Sequence, residues 1–255
     1  MKKYFILLLL ALFPIWVCAQ NLLSETTTSK QVAEVHMVAS FVKSLDHGLS
    51  LTFEEEIRSS HISLTTIGLG YTPLSYLSMG GSYVLKFYGT QGWVNPHTYL
   101  RHRANIYLIG QIPLGQWKLS LRELLMMDGR ADEIDKREKN ALDLTLRTRL
   151  QASYSIPNQP ISIVGKVELF NTLNAPVDYI NQLDNVTTPY GQYINELRPE
   201  IGVQWKINKQ NSVNIAYRYN YVYKRDIDIL TNGDVNIANN YSHKHILHLT
   251  YKFGW

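Results

Sequence analysis

The chain has 255 residues, 25 Lys and Arg against 21 Asp and Glu, a formal charge of +4, and a single cysteine. That balance excludes a nucleic-acid binder working through a basic surface. A mean hydropathy of −0.17, with no spanning-length apolar run beyond the N-terminal segment, excludes a bundle of membrane helices. Yet 17 Tyr and 5 Trp are many aromatics for such a chain, and strands in which only every second residue is apolar reconcile the two facts.

The N-terminus reads as an export signal over residues 1–19: Lys2 and Lys3, an apolar stretch from Tyr4 to Phe13, then Val17-Cys18-Ala19 before Gln20. Trp16 and Val17 are poor neighbours for lipid attachment at Cys18. Cleavage after Ala19 would remove that only cysteine and two of the positive charges, leaving no disulfide and no cysteine nucleophile. Residues 20–255 are then expected to form one domain.

Period-two alternation recurs along the rest of the chain. Val35, Met37, Ala39 and Phe41 oppose Glu34, His36 and Ser40; Leu49, Leu51, Phe53 and Ile57 oppose Thr52, Glu54, Glu56 and Arg58. Thr65 to Tyr71 is a weaker strand. Leu77, Met79, Tyr83, Leu85 and Phe87 oppose Ser78, Ser82 and Lys86, and Leu100, Ala104, Ile106 and Leu108 oppose Arg101, Arg103, Asn105 and Gln111. Trp117, Leu119 and Leu121 oppose Lys118, Ser120 and Arg122, until Glu123-Leu124-Leu125 breaks phase as a bulge would. Leu142, Leu144, Leu146 and Leu150 oppose Asp143, Arg147, Arg149 and Gln151; Ile161, Ile163, Val167 and Leu169 oppose Lys166 and Glu168. Leu197, Pro199, Ile201, Val203 and Trp205 oppose Glu196, Arg198, Glu200 and Gln204. Val213, Ile215, Tyr217, Tyr219, Tyr221 and Tyr223 oppose Asn214, Arg218, Asn220 and Lys224. The last strand ends on Tyr251, Phe253 and Trp255, and a terminal strand of this kind resembles the assembly signal of bacterial outer-membrane barrels.

Connection lengths alternate. Short turns with Gly, Pro, Asn or Asp fall near Asp46–Gly48, Pro73–Ser75, Pro113–Gly115, Pro157–Gln159 and Asn208–Gln210. Longer polar segments cover Gly89–His97, Asp128–Asn140, Asn171–Gln192 and Asp226–Asn240, while Ser59-Ser60 is tight. A β-sandwich offers no reason for such regularity. The expected fold is all-β, a transmembrane antiparallel up-and-down barrel with short periplasmic turns and long outer loops. Bacterial barrels use even strand numbers, so about twelve are expected (within ten to twelve), the extra one from Asn21–Lys30.

The polar faces would line a lumen with Glu54, Glu56, Arg58, Arg101, Arg103, Arg122, Arg147, Arg149, Lys166, Glu168, Glu196, Arg198, Glu200, Arg218 and Lys224. Two uses are open: a structural network of paired charges that plugs the barrel, or a narrow pore or binding cavity whose arginines select anions. Glu54 with Glu56, or Glu196 with Glu200, has glycosidase spacing, but beside so many arginines neither carboxyl is placed to serve as general acid. His243 and His245 sit on the outward face, where a membrane-embedded lipid hydrolase would need a neighbouring serine; Ser242 is on the other face. His248 also points away from them, which argues against a shared metal. The charge-dense run Asp128–Lys139 lacks a calcium-loop order and reads as a solvated loop. No cofactor, metal or catalytic residue is expected.

Leu49-Ser50-Leu51-Thr52-Phe53-Glu54-Glu55-Glu56-Ile57-Arg58, Leu100-Arg101-His102-Arg103, Glu196-Leu197-Arg198-Pro199-Glu200-Ile201-Gly202 and Tyr251-Lys252-Phe253 resemble an outer-membrane barrel family of Bacteroidota, domain-of-unknown-function family 2490. The resemblance implies fold and location and carries no catalytic residue. The expected partners are outer-membrane lipids, lipopolysaccharide and, during insertion, the barrel-assembly machinery, with the protein a monomer.

Overall fold

A computed structural model describes residues 25–89, 99–129, 142–173, 193–229 and 235–254. The export signal and Trp255 lie outside these residues. Eleven strands close into one barrel: β1 (Glu25–Ser44), β2 (Leu49–Arg58), β3 (Ile62–Leu74), β4 (Leu77–Tyr88), β5 (Tyr99–Leu114), β6 (Trp117–Gly129), β7 (Leu142–Ser155), β8 (Ile161–Thr172), β9 (Tyr193–Lys206), β10 (Asn211–Ile229) and β11 (Val235–Gly254). Each strand pairs antiparallel with its sequence neighbour. β1 also pairs with β11, and that pair is parallel, in register from Glu25↔Ile237 to Val42↔Gly254. No edge is left exposed.

This corrects the expected twelve strands and the purely antiparallel closure. An odd number of up-and-down strands must bring the first and last together in the same direction. Glu25–Lys30 do not form a separate strand but prolong β1, which runs for 20 residues. The segment Asp226–Asn240, expected as a loop, is mostly strand as well: β10 continues to Ile229 and β11 begins at Val235.

The turns follow local chemistry. At one end of the barrel the chain reverses through His47 and Gly48 (φ 58° and 77°), Gly115 (φ 64°) and Asn158 (φ 58°), residue types that tolerate left-handed backbone. Asn208 ties its turn by accepting from the backbone N–H of Gln210 and Asn211 at 2.8 Å. At the other end, Ser59–His61 joins β2 to β3 tightly.

Alternation sets the two faces of the wall. Ile57, Ile67, Leu69, Ile106, Leu150, Ile201, Trp205 and Ile215 are all more than half exposed and point outward. Their chain neighbours are buried or half-buried: Glu56, Gly68, Gly70, Arg149, Glu200 and Ala216. Leu124, Met126 and Phe170 form a small apolar cluster on the inner wall with Tyr107 against it. The predicted bulge at Glu123 is absent. The β5–β6 and β6–β7 registers run unbroken through it, so Glu123 points outward and Leu124 inward.

Glycines on β3 and β4 make room for Tyr107. A Cβ on Gly80 would lie 2.6 Å from its ring carbon Cζ, and one on Gly70 would lie 2.8 Å from its hydroxyl. A bare backbone patch is thus covered from inside by an aromatic ring, as in aromatic rescue of glycines.

Candidate functional site: the charged interior

The inner wall is divided along its length. Toward the short-turn end it presents small neutral side chains, among them Ser40, Ser50, Thr52, Thr66, Ser120, Ser162 and Thr250. At mid-height it is charged. Charges from opposite walls interact there: Glu54 on β2 with Arg122, Arg147 and Arg149, and Glu56 with Arg198 on β9. This identifies the charged face as the concave one.

Five groups of ion pairs occupy this level among the described residues. Glu168, 3% exposed, takes both oxygens to Arg147 Nη2 at 2.6 and 2.7 Å and accepts from Arg149 Nε as well. Glu200 holds Lys166 Nζ at 2.5 Å and Arg218 at 2.7–2.8 Å. Asp128 holds Lys86 and, at 2.8 Å, Arg103 Nε. Glu34 accepts from His36 Nε2 at 2.8 Å and from Lys244 Nζ at 3.0 Å, while Glu56 accepts from Arg58 Nε at 2.6 Å. Arg198 closes on Glu196, its neighbour two residues back, through Nε at 2.5 Å and Nη2 at 2.7 Å. The cause is strand register. Arg149↔Glu168, Glu168↔Arg198, Lys166↔Glu200 and Glu200↔Arg218 are all directly opposite across neighbouring strands. Buried charges are tolerable only when paired this closely.

Aromatic rings complete the packing. Phe170 lies under Arg198 at 4.0 Å and Arg147 at 5.1 Å, Tyr107 under Arg122 at 5.2 Å, and Tyr88 under Arg101 at 5.5 Å.

Of the residues predicted for the lumen, Lys224 is the exception to burial: it is exposed, high on β10. Several members of the network were missed. Lys86 is 6% exposed, Glu34 8% and His36 3%. All carry the alternation phase of the inner face, which was the available signal. Asp128 was placed in a surface loop, yet it is the last inward acid of β6; residues 130–139 of that run lie outside the described residues.

The outer face carries its own polar pairs. The Tyr217 hydroxyl lies 2.6 Å from His245 Nδ1, and those of Tyr219 and Tyr83 lie 2.5 Å from His243 Nδ1 and His102 Nδ1. Among the described residues these ring nitrogens bond tyrosine and no serine. Tyr221 stacks on Tyr241 at 5.9 Å, continuing the stripe toward the long-connection end. At the opposite end Phe253 meets Phe41 at 6.3 Å, Tyr251 donates to Asn211 Oδ1, and Trp117 packs on Tyr154 at 4.9 Å. Two outward carboxylates, Glu55 and Glu123, accept from Thr65 at 2.6 Å and Thr148 at 2.7 Å. No group of three metal-ligating side chains occurs among the described residues.

Residues 38–230 match the family model described as protein of unknown function (DUF2490). No curated protein and no solved structure matches the chain. The match spans most of the sequence and β1 to β10 of the barrel, so the chain belongs to the DUF2490 family.

Proposed function

We propose that this protein is a monomeric outer-membrane barrel, inserted through its C-terminal strand, whose mid-height charge network makes it a narrow passive binding or conducting barrel for small anions. The membrane reading rests on the apolar outer wall, the aromatic groups at both ends and the absence of a free sheet edge. Long connections face outward, toward lipopolysaccharide, and short turns face the periplasm. The reading assigns no catalytic residue and no cofactor.

The observation that carries the anion preference is the composition of the inner wall. Among the residues whose side chains are described, its acids at this level are Glu34, Glu54, Glu56, Asp128, Asp143, Glu168, Glu196 and Glu200. They are outnumbered by Arg58, Lys86, Arg101, Arg103, Arg122, Arg147, Arg149, Lys166, Arg198, Arg218 and Lys244. A positive ring in a low-dielectric wall attracts anions and repels cations. Ion pairs crowd the same level, which favours a small conductance over that of a wide porin. The neutral hydroxyl-lined half beneath would act as a water-filled vestibule.

Planar-bilayer recording on the purified protein tests this reading. Small, steady current steps are expected. Silence from protein shown by protease protection to be inserted would leave a plugged, purely structural barrel.

A further inference from the structure

Arg122 and Arg149 are directly opposite each other on β6 and β7. Like charges at such positions are destabilising unless something lies between them. Arg149 is answered in part: its Nε donates to Glu168, and its two terminal nitrogens have no hydrogen-bond partner among the described residues. Arg122 has no carboxylate in hydrogen-bond contact among the described residues; Glu168 and Glu54 reach it only through space. Its Nε is buried without a hydrogen-bond partner, and the guanidinium rests on the Tyr107 ring at 5.2 Å. Glu168 gives it no hydrogen bond, because both of its oxygens are held by Arg147 and Arg149. Glu54 faces the pair across the lumen without a hydrogen bond to either. Arg122, Arg147, Arg149 and Arg198 therefore stand against Glu54, Glu168 and Glu196, one guanidinium in surplus.

We infer that Arg122 and Arg149 form a binding site for a small oxyanion, a carboxylate or phosphate group. This rests on the reading of the lumen as open to solutes. A guanidinium presents its donors in a planar fork that matches two oxygens on one atom, and a halide cannot use that geometry. Tyr107 fixes the plane of the Arg122 fork from behind, and Tyr107 is itself held by the glycine patch of β3 and β4. Glu54 supplies the balancing charge across the lumen when the site is empty and opposes a ligand carrying more than one charge.

The test is calorimetric titration of the detergent-purified protein with sodium phosphate, sodium acetate or sodium chloride at matched ionic strength. Saturable binding of phosphate or acetate, and not of chloride, is expected; which of the two binds names the group. Arg122→Gln, which breaks no ion pair, should weaken binding roughly tenfold or more. Arg122→Lys keeps the charge without the fork and should lose most of the affinity too. Glu54→Gln removes the opposing charge and should tighten binding several-fold, a change opposite in sign to general damage. Chloride binding as well as the oxyanions, no saturable binding in the wild type, or unchanged affinity in folded Arg122→Gln or Arg122→Lys would overturn the site. Weaker binding in folded Glu54→Gln would do the same. Conductance without oxyanion binding would remove the site and leave the pore. Binding without conductance would remove the pore and leave the site.

Discussion

Glu168 shows how much one buried carboxylate holds together here. It is 3% exposed and satisfies Arg147 through both oxygens and Arg149 through one. Glu168→Gln keeps the shape and removes the charge, leaving two guanidiniums facing each other with no carboxylate between. Breaking a buried pair from one side costs about 3–5 kcal/mol, so a large drop in the denaturant midpoint in micelles is expected. Glu123 gives the opposite case. It faces outward at mid-height with a single hydrogen bond from Thr148. If that face meets lipid, Glu123→Leu should be neutral or stabilising, by about 1 kcal/mol. A clear loss of stability in lipid would mean that the outer wall at β6 is covered by something polar.

At the level of elements, the glycine patch and the seam make separate predictions. A Cβ on Gly80 would run into the backbone oxygen of Leu69 as well as Tyr107, whereas the close contacts of one on Gly70 are the ends of two side chains, Ser50 Oγ and the Tyr107 hydroxyl. Gly80→Ala should therefore cost about 1–3 kcal/mol and Gly70→Ala less, read as shifts in the unfolding midpoint. At the seam, Val35 and Leu247 are outward partners across β1 and β11. Cysteines at both positions should cross-link under oxidising conditions, seen on a non-reducing gel. Failure in a folded barrel would contradict the parallel closure. The alternation that defines β2, β7, β8 and β9 was plain in the sequence, because one face must be apolar and the other cannot be. Closure was not, since nothing in the pattern of β1 shows which strand lies beside it. The even-number expectation then invited a twelfth strand where Glu25–Lys30 only lengthen the first. Asp128 was hidden for a related reason: a strand end and a charged loop look alike when acids and bases run on together.

For the whole molecule, the interior matters more than the greasy exterior. On the proposed reading the outer wall carries location and assembly, while the inner wall carries the surplus of arginine over carboxylate at mid-height. Sequence alternation listed most of the lumen charges. It could not say which of them pair, because pairing depends on register, and register places Arg149 against both Glu168 and Arg122. Anion preference therefore depends on the sign of the field in the lumen. Its most direct test is the reversal potential of the purified protein in a planar bilayer under a potassium chloride gradient. The account predicts a potential displaced toward that of chloride, and smaller in Arg122→Gln. A potential displaced toward potassium would contradict it.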